Sequence, residues 1–368
     1  MNINCEKDLL INNISIVSKA VAQKTTLPIL ECILLTTDRS GFRLMANNLE
    51  LSIETANMEA DVFELGSVAL DAKLFSNVIR SLPSENVSIT VDENNLAVIK
   101  SGKAEFKLMG HSGKEFPQPP VVEKEQMLTI DSLTLKNIIK KTIFAVATED
   151  TRPVLMGEFL EITPRDMTVV AIDGYRVAYR KTGIENCSNF ADIIVPAKTL
   201  NEISNILPPK EDEKVNVYFT DKHTLFETES CTIVSRLIDG QYMEYKNLFN
   251  CDSKTTVTVE RQELLSAIER ATLIVKDSKK APVVLDIKDN NISITSKTEI
   301  GEVFEQVSSE IDGEPLNISF NANYLADVFK NIDDDVIKLY FMSPLSPCII
   351  KGVDGDGYMY LVLPTKNF

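Results

Sequence analysis

Histidine is scarce in this chain, and the scarcity removes whole classes of chemistry. Only His111 and His223 occur in 368 residues, too little material for a histidine-rich zinc site or a histidine proton relay. There is no Gly-x-x-x-x-Gly-Lys-Ser/Thr loop to cradle phosphates and no Gly-x-Ser-x-Gly elbow to present a nucleophile, so nucleotide hydrolysis and esterase chemistry lack their scaffolds. The six cysteines (Cys5, Cys32, Cys187, Cys231, Cys251 and Cys348) include no Cys-x-x-Cys pair, and most sit in apolar strand-like runs, as reduced buried thiols do. No run of about 18 apolar residues is present, and the opening MNINCEKDLL carries neither a basic leader nor a long apolar segment, so a cytoplasmic protein is expected.

Positive charge is the other shortage. Lys and Arg number 38 against 54 Asp and Glu, a net charge of −16. Such a chain cannot grip DNA by broad phosphate neutralisation, which needs a basic excess. A locally basic track on an acidic exterior still permits loose, mobile contact with DNA. The carboxylates themselves suggest no enzyme: nothing positions Glu161, Asp166 and Asp173 as acid and base. Asp354-Gly355-Asp356-Gly357 lacks the further acidic ligands of a calcium loop and reads as a glycine-rich hairpin. No catalytic residue, metal or cofactor is expected.

What the chain does have is length and repetition. Its size exceeds what one core usually organises, since domains run to roughly 150 residues. The 44% hydrophobic and 25% charged shares are those of an ordinary globular protein. An internal repeat recurs at a period near 125 residues. Leu10, Ile14, Val17 and Val21 form one apolar stripe; Leu135, Ile139, Thr142 and Val146 form the second; Leu264, Ile268, Ala271 and Val275 form the third. The spacing i, i+4, i+7, i+11 is one face of a helix. Each stripe precedes a proline segment, LPIL at 27–30, RPVL at 152–155 and APVVL at 281–285, which reads as a strand.

A second helix recurs as DAKLFSNVIRSLP at 71–83, PAKTLNEISNILP at 196–208 and NANYLADVFKNID at 321–333, started by Asp71, Pro196 and Asn321. Pro83 and Pro208 stop the first two. Each helix yields to an alternating run, VSITV at 87–91, VNVYF at 215–219 and VIKLY at 336–340, among further strands joined by Asn-Asn, Asp-Lys or Asp-Gly turns. The fold class is therefore α+β: three similar units, each of two helices and about eight short antiparallel strands, over 1–125, 126–250 and 251–368.

The repeat, with LPIL after the first helix, TRPVLMG in the middle, AIDGYRVA twenty residues later and YLVLP at the end, resembles the β sliding clamp of bacterial DNA polymerase III along the entire chain. The resemblance implies a head-to-tail homodimer: a six-domain ring, helices lining the hole and sheets outside, that encircles duplex DNA without sequence preference and tethers polymerases. A separate clamp-loader protein would supply ATP-driven opening. On the helices that would line the hole lie Lys19, Lys24, Lys73, Arg80, Lys136, Lys140, Lys141, Lys198, Arg270 and Lys330, and Arg152 joins the DNA-facing set. Glu149 and Asp327 dilute that charge.

The resemblance places Phe106 and Leu108 against Leu273 and Ile274 of a second copy. Between the second and third domains it implies an apolar cleft for client peptides, bordered by Leu155, Ile172, Gly174, Tyr175, Arg176, Val177, Met243, Leu248, Leu361, Val362, Leu363 and Pro364. Read alone, Asp173-Gly174 is a hairpin turn and YLVLP a terminal edge strand. The tail Leu363-Pro364-Thr365-Lys366-Asn367-Phe368 departs from the family's Met-Pro-Met-Arg-Leu-like end. Asn247 stands where a basic residue is common, and Met243 where a proline is. A repeat-built interaction scaffold that never meets DNA is the alternative, against which the basic residues on equivalent helices weigh.

Overall fold

The computed structural model describes residues 1–149, 152–187, 189–210, 212–250, 252–274, 282–299, 301–353, 355 and 357–365. Six α-helices form among them: α1 (Lys7–Val17), α2 (Ala72–Ser81), α3 (Ser132–Lys140), α4 (Ala197–Ile206), α5 (Arg261–Thr272) and α6 (Ala322–Lys330). The apolar stripes are what these helices bury: Leu10, Ile14 and Val17 on α1, Leu135 and Ile139 on α3, and Leu264, Ile268 and Ala271 on α5 are at most 1% exposed. The stripes outrun their helices: Val21 lies beyond α1, half-buried on extended backbone, and Thr142 and Val146 lie beyond α3, buried on either side of the 3-10 turn Ile143–Ala145, while Val275 lies outside the described residues. The cap residues act as their side-chain chemistry requires. Asp71 accepts from the Leu74 amide at 2.7 Å and Asn321 from the Asn323 amide at 3.0 Å. α2 and α4 end at Ser81 and Ile206, two residues ahead of Pro83 and Pro208.

Two of the three proline segments are not strands. Pro28–Glu31 and Pro153–Met156 are 3-10 turns with proline in the first turn, and the strands Cys32–Asp38 and Gly157–Ile162 begin only after them. Proline's fixed φ and missing N–H suit the first position of a helical turn, where no donor is needed. In the third copy Pro282 does open a strand, Pro282–Lys288, which turns at Asp289 and Asn290 (φ 52° and 55°) into Asn291–Thr298. Successive thirds carry ten, eight and eight strands among the described residues, all paired antiparallel.

The chain divides into two compact units, one formed by Met1–Leu133, Glu185–Ser188 and Asn205–Leu237, the other by Thr134–Ile184, Asn189–Ser204 and Ile238–Phe368. The first holds a five-stranded sheet that ends on the strand Ala104–Met109 and a nine-stranded sheet. In the latter, Leu51–Thr55 from the first third pairs with Cys231–Arg236 from the second, Ile53 opposite Ile233. The second unit is built on a twelve-stranded sheet in which Arg176–Gly183 pairs with Tyr358–Val362, Ala178 opposite Tyr360. Sheets thus run on from one third into the next, which is why the compact units do not follow the sequence repeat.

Within the second unit α5 and α6 pack beside each other on the sheet, over a core that includes Phe320, Phe329, Phe341 and Tyr360. Cys5, Cys32, Cys231 and Cys348 are buried and Cys187 is half-buried; Cys251 lies outside the described residues. Burial pushes the Cys5 thiol up to about 12 and, with Asp71 and Glu31 nearby, the Cys32 thiol up to about 11, so both are inert.

Candidate functional site

The strand Asp166–Ile172 turns at Asp173-Gly174 into Arg176–Gly183. Gly174 takes φ +91°, a conformation that costs a residue with a Cβ, and Asp173 Oδ1 closes the turn by accepting from the amides of Tyr175 (2.8 Å) and Arg176 (3.0 Å). The last strand lies beside this turn, and the Leu363 amide donates to the Tyr175 carbonyl at 2.9 Å. Alternation along these strands sends Ile172, Val177 and Leu361 to one face. There they join Leu155, Ala147, Val170, Tyr245 and Ile349 in one buried cluster, with Met243 half-buried at its margin. Tyr175 (60% exposed), Leu248 (37%) and Leu363 (36%) remain open to solvent, and Pro364 is half-buried.

Two residues of the expected cleft behave differently. Val362 is fully buried in the larger core with Tyr360, on the opposite face of the sheet from Leu361, because neighbouring strand residues point to opposite sides. Each nitrogen of the Arg176 guanidinium has a partner: Nε donates to Asp173 Oδ2 at 2.9 Å, Nη1 to Asp327 Oδ2 at 2.5 Å and Nη2 to the Phe144 carbonyl at 2.7 Å. Its guanidinium also lies 4.6 Å from the Tyr324 ring centroid and 5.3 Å from that of Phe144. Arg176 is therefore a tie between the turn, α6 and the 3-10 turn Ile143–Ala145, and Asp327, which reads as diluting charge on a DNA-facing helix, serves as its counter-ion. Tyr175 rests on Tyr324 with ring centroids 5.9 Å apart.

Sequence reasoning missed the aromatic layer. Phe159 stacks on Tyr242 (5.0 Å, 10° between planes), and Tyr179 meets Phe249 edge-on at 5.7 Å. The signal available was the crowding of Tyr242, Tyr245 and Phe249 into one polar loop, the segment crossing the sheet face.

The basic residues fall into two groups. Lys73 and Arg80 on α2, Lys140 on α3 and Lys198 on α4 are exposed. Lys136 is half-buried one turn from Lys140, and burial and that neighbouring charge hold its ammonium pKa below the usual lysine range. Lys24 and Arg152 are exposed but lie outside the helices, on the segments leading into the proline turns, and Lys19 sits in the 3-10 turn Ser18–Ala20. The others are already neutralised within the chain: Lys141 by Asp333, Lys330 by Glu269 at 2.9 Å, and Arg270 by both Glu305 oxygens at 2.7 and 2.8 Å.

At the expected dimer contact, Leu273 is 63% exposed just beyond α5, Phe106 and Ile274 are half-buried, and Leu108 belongs to its own chain's core. Met109 (71% exposed) and Phe304 (62%) are apolar surface the sequence did not point to. Among the described residues no group of metal-ligating side chains occurs, and no helix is long and apolar enough to cross a membrane.

Models of three families match successive parts of the chain: the DNA polymerase III beta subunit N-terminal domain over residues 1–120, the central domain over 129–244 and the C-terminal domain over 246–366. The beta sliding clamp of Bacillus subtilis is 34% identical over 379 residues, all of both chains. Among solved structures, a DNA polymerase III beta subunit from Eubacterium rectale aligns with a TM-score of 0.96 at 39% identity, covering 99% of each chain. The Bacillus subtilis DNA polymerase sliding clamp aligns at 0.97 and 33%, covering all of both. Matched end to end by the three domain models, and by relatives of the same length and fold, the chain belongs to the DNA polymerase III beta subunit family, the beta sliding clamps.

Proposed function

We propose that the protein is a processivity clamp without catalytic activity, acting in the cytoplasm. Two chains, each of three domains over 1–125, 126–250 and 251–368, close head to tail into a ring around duplex DNA and tether DNA polymerases and other clients. The observation that carries this reading is the match in sequence and fold to sliding clamps over the full chain. The charge distribution supports it. A chain of net charge −16 with a few exposed lysines and arginines on its helices suits topological retention, in which phosphate contacts stay few and exchangeable.

Loaded onto a nicked circular plasmid by a clamp-loader ATPase, the protein is expected to co-elute with the DNA in high salt and to be released when the plasmid is linearised. Retention that falls with salt and ignores linearisation would overturn encirclement.

Ring closure needs an edge from each end of the chain, and both ends have one. The strand Ala104–Met109 is the last of its sheet, and residues 301–308 of the strand Gly301–Gly313 pair on one side only among the described residues. An antiparallel junction of these edges between two copies would cover Phe106, Met109, Leu273 and Phe304, burying apolar area now open to water. Leu273→Asp combined with Phe304→Asp is accordingly expected to give a folded monomer by light scattering; an unchanged dimer mass would reject this interface.

The client cleft is the cluster of Leu155, Ile172, Val177 and Leu361 with Met243, Leu248, Leu363 and Pro364 at its border. An apolar floor supplies burial for a short peptide, and the Tyr175 turn and the chain end fix its course.

A further inference from the structure

An opening lies along the segment 240–246, which also borders the apolar cluster. It is a cavity of about 360 Å³ between that segment and the strands Gly157–Ile162 and Ala191–Pro196. Phe159, Tyr242 and Tyr245 give it an aromatic side, while Glu161, Asp192 and Glu244 give it three carboxyls against one basic group, Lys246. Phe159, Tyr242, Met243 and Tyr245 belong to the aromatic and apolar cluster described above as well, so the cavity and that cluster share a wall.

The occupancy of the carboxyls is uneven. Glu161 accepts from the Tyr245 hydroxyl and, at 2.7 Å, from Lys246 Nζ, whose ammonium also stands 5.9 Å from the Tyr245 ring centroid. This lysine, 60% exposed, marks a place at the mouth where a cation is held by a carboxylate and an aromatic face together. Asp192, exposed to solvent, makes no side-chain hydrogen bond or ion pair among the described residues; partial desolvation and the charge of Glu161 raise its pKa above the usual carboxylate range, against the opposing charge of Lys246. A second cation would relieve that repulsion, and a planar guanidinium matches a carboxylate beside an aromatic ring better than an ammonium does.

We infer that this cavity is a specificity pocket for a basic side chain, arginine above all, that flanks the apolar anchor of a client peptide. The inference rests on the cleft reading, and the shared wall is what joins the two: a peptide seated on the Met243 side reaches the carboxyls by passing over segment 240–246. It makes the clamp selective for clients with a basic flank, a preference the apolar floor cannot supply.

The test uses the full-length protein and fluorescence anisotropy with labelled synthetic peptides. Each peptide carries the same pair of large apolar anchors and is extended by Gly-Arg or by Gly-Gln, at one end or at the other. For one direction of extension the arginine peptide is expected to bind roughly tenfold more tightly than its glutamine twin. Asp192→Asn should erase that difference without weakening the glutamine peptide, and Lys246→Met, which removes the resident cation from Glu161 Oε1, should widen it. Equal binding of the twins by the wild-type protein, or an arginine preference that survives Asp192→Asn, overturns the pocket while leaving the cleft standing. If neither twin binds, the cleft reading fails and takes the pocket with it.

Discussion

Raising the pH from about 5 to about 9 is expected to cost the second compact unit several kcal/mol of stability through one side chain, Glu158. Its carboxyl is 0% exposed; Oε1 accepts from Thr142 Oγ1 at 2.7 Å, and Oε2 has no partner. Burial pushes its pKa from 4.5 up to about 8, against the opposing hydrogen bond from Thr142. The folded protein therefore keeps a proton that the unfolded chain releases above its own, ordinary pKa. The stabilisation is complete below about pH 4.5, declines by about 1.4 kcal/mol per pH unit, and is exhausted once the folded group ionises near pH 8, a total of about 5 kcal/mol.

Glu158→Gln keeps an acceptor for Thr142 and cannot ionise. In urea titrations at the two pH values, its stability relative to the wild type should rise toward alkaline pH by several kcal/mol. Parallel pH dependence of the two proteins would show that Glu158 does not titrate in the folded state. Thr142 lies immediately before the 3-10 turn Ile143–Ala145, whose Phe144 carbonyl accepts from Arg176.

Arg176→Ala is expected to destabilise that unit by about 3 kcal/mol and to weaken a cleft-binding peptide more than tenfold. The energetic scale is that of breaking a largely buried, hydrogen-bonded ion pair. Arg176 and Asp173 side chains are 11% and 13% exposed, whereas Asp327 is 41% exposed and adds little in water. Asp173 keeps its two backbone donors after the substitution, but the Phe144 carbonyl and the Tyr324 ring lose their partner. Arg176→Lys restores the charge without the planar fork and should recover part of the stability and part of the affinity together. If Arg176→Ala left the urea midpoint unchanged while abolishing peptide binding, the residue would be a direct contact and the positioning role would be wrong.

The resemblance sets Tyr175 and Arg176 side by side on the border of the cleft, yet only Tyr175 is exposed, because Arg176 finds partners 151 residues away on α6 and 32 residues back at Phe144. Lys141, Arg270 and Lys330 likewise read as free cations on helices until Asp333, Glu305 and Glu269 are found beside them. Glu158, one more acid in an acidic chain, discloses nothing in sequence of its burial.

The sequence by itself determined the repeat, the six helices, the first two or three buried positions of each stripe and the strands that follow the second helices, because these depend on spacing along the chain: 3.6 and 2 residues per period, capping side chains and proline stops. It also determined the shortage of histidine and the absence of phosphate-loop and nucleophile-elbow motifs. Tertiary structure alone decided which thirds share a sheet, that Val362 turns away from Leu361's cluster, which cations are already paired, and that a carboxyl lies in the core. Those properties depend on which distant residues become neighbours, and a charge's energy is set by its surroundings: it is small in water and large where burial removes water's screening.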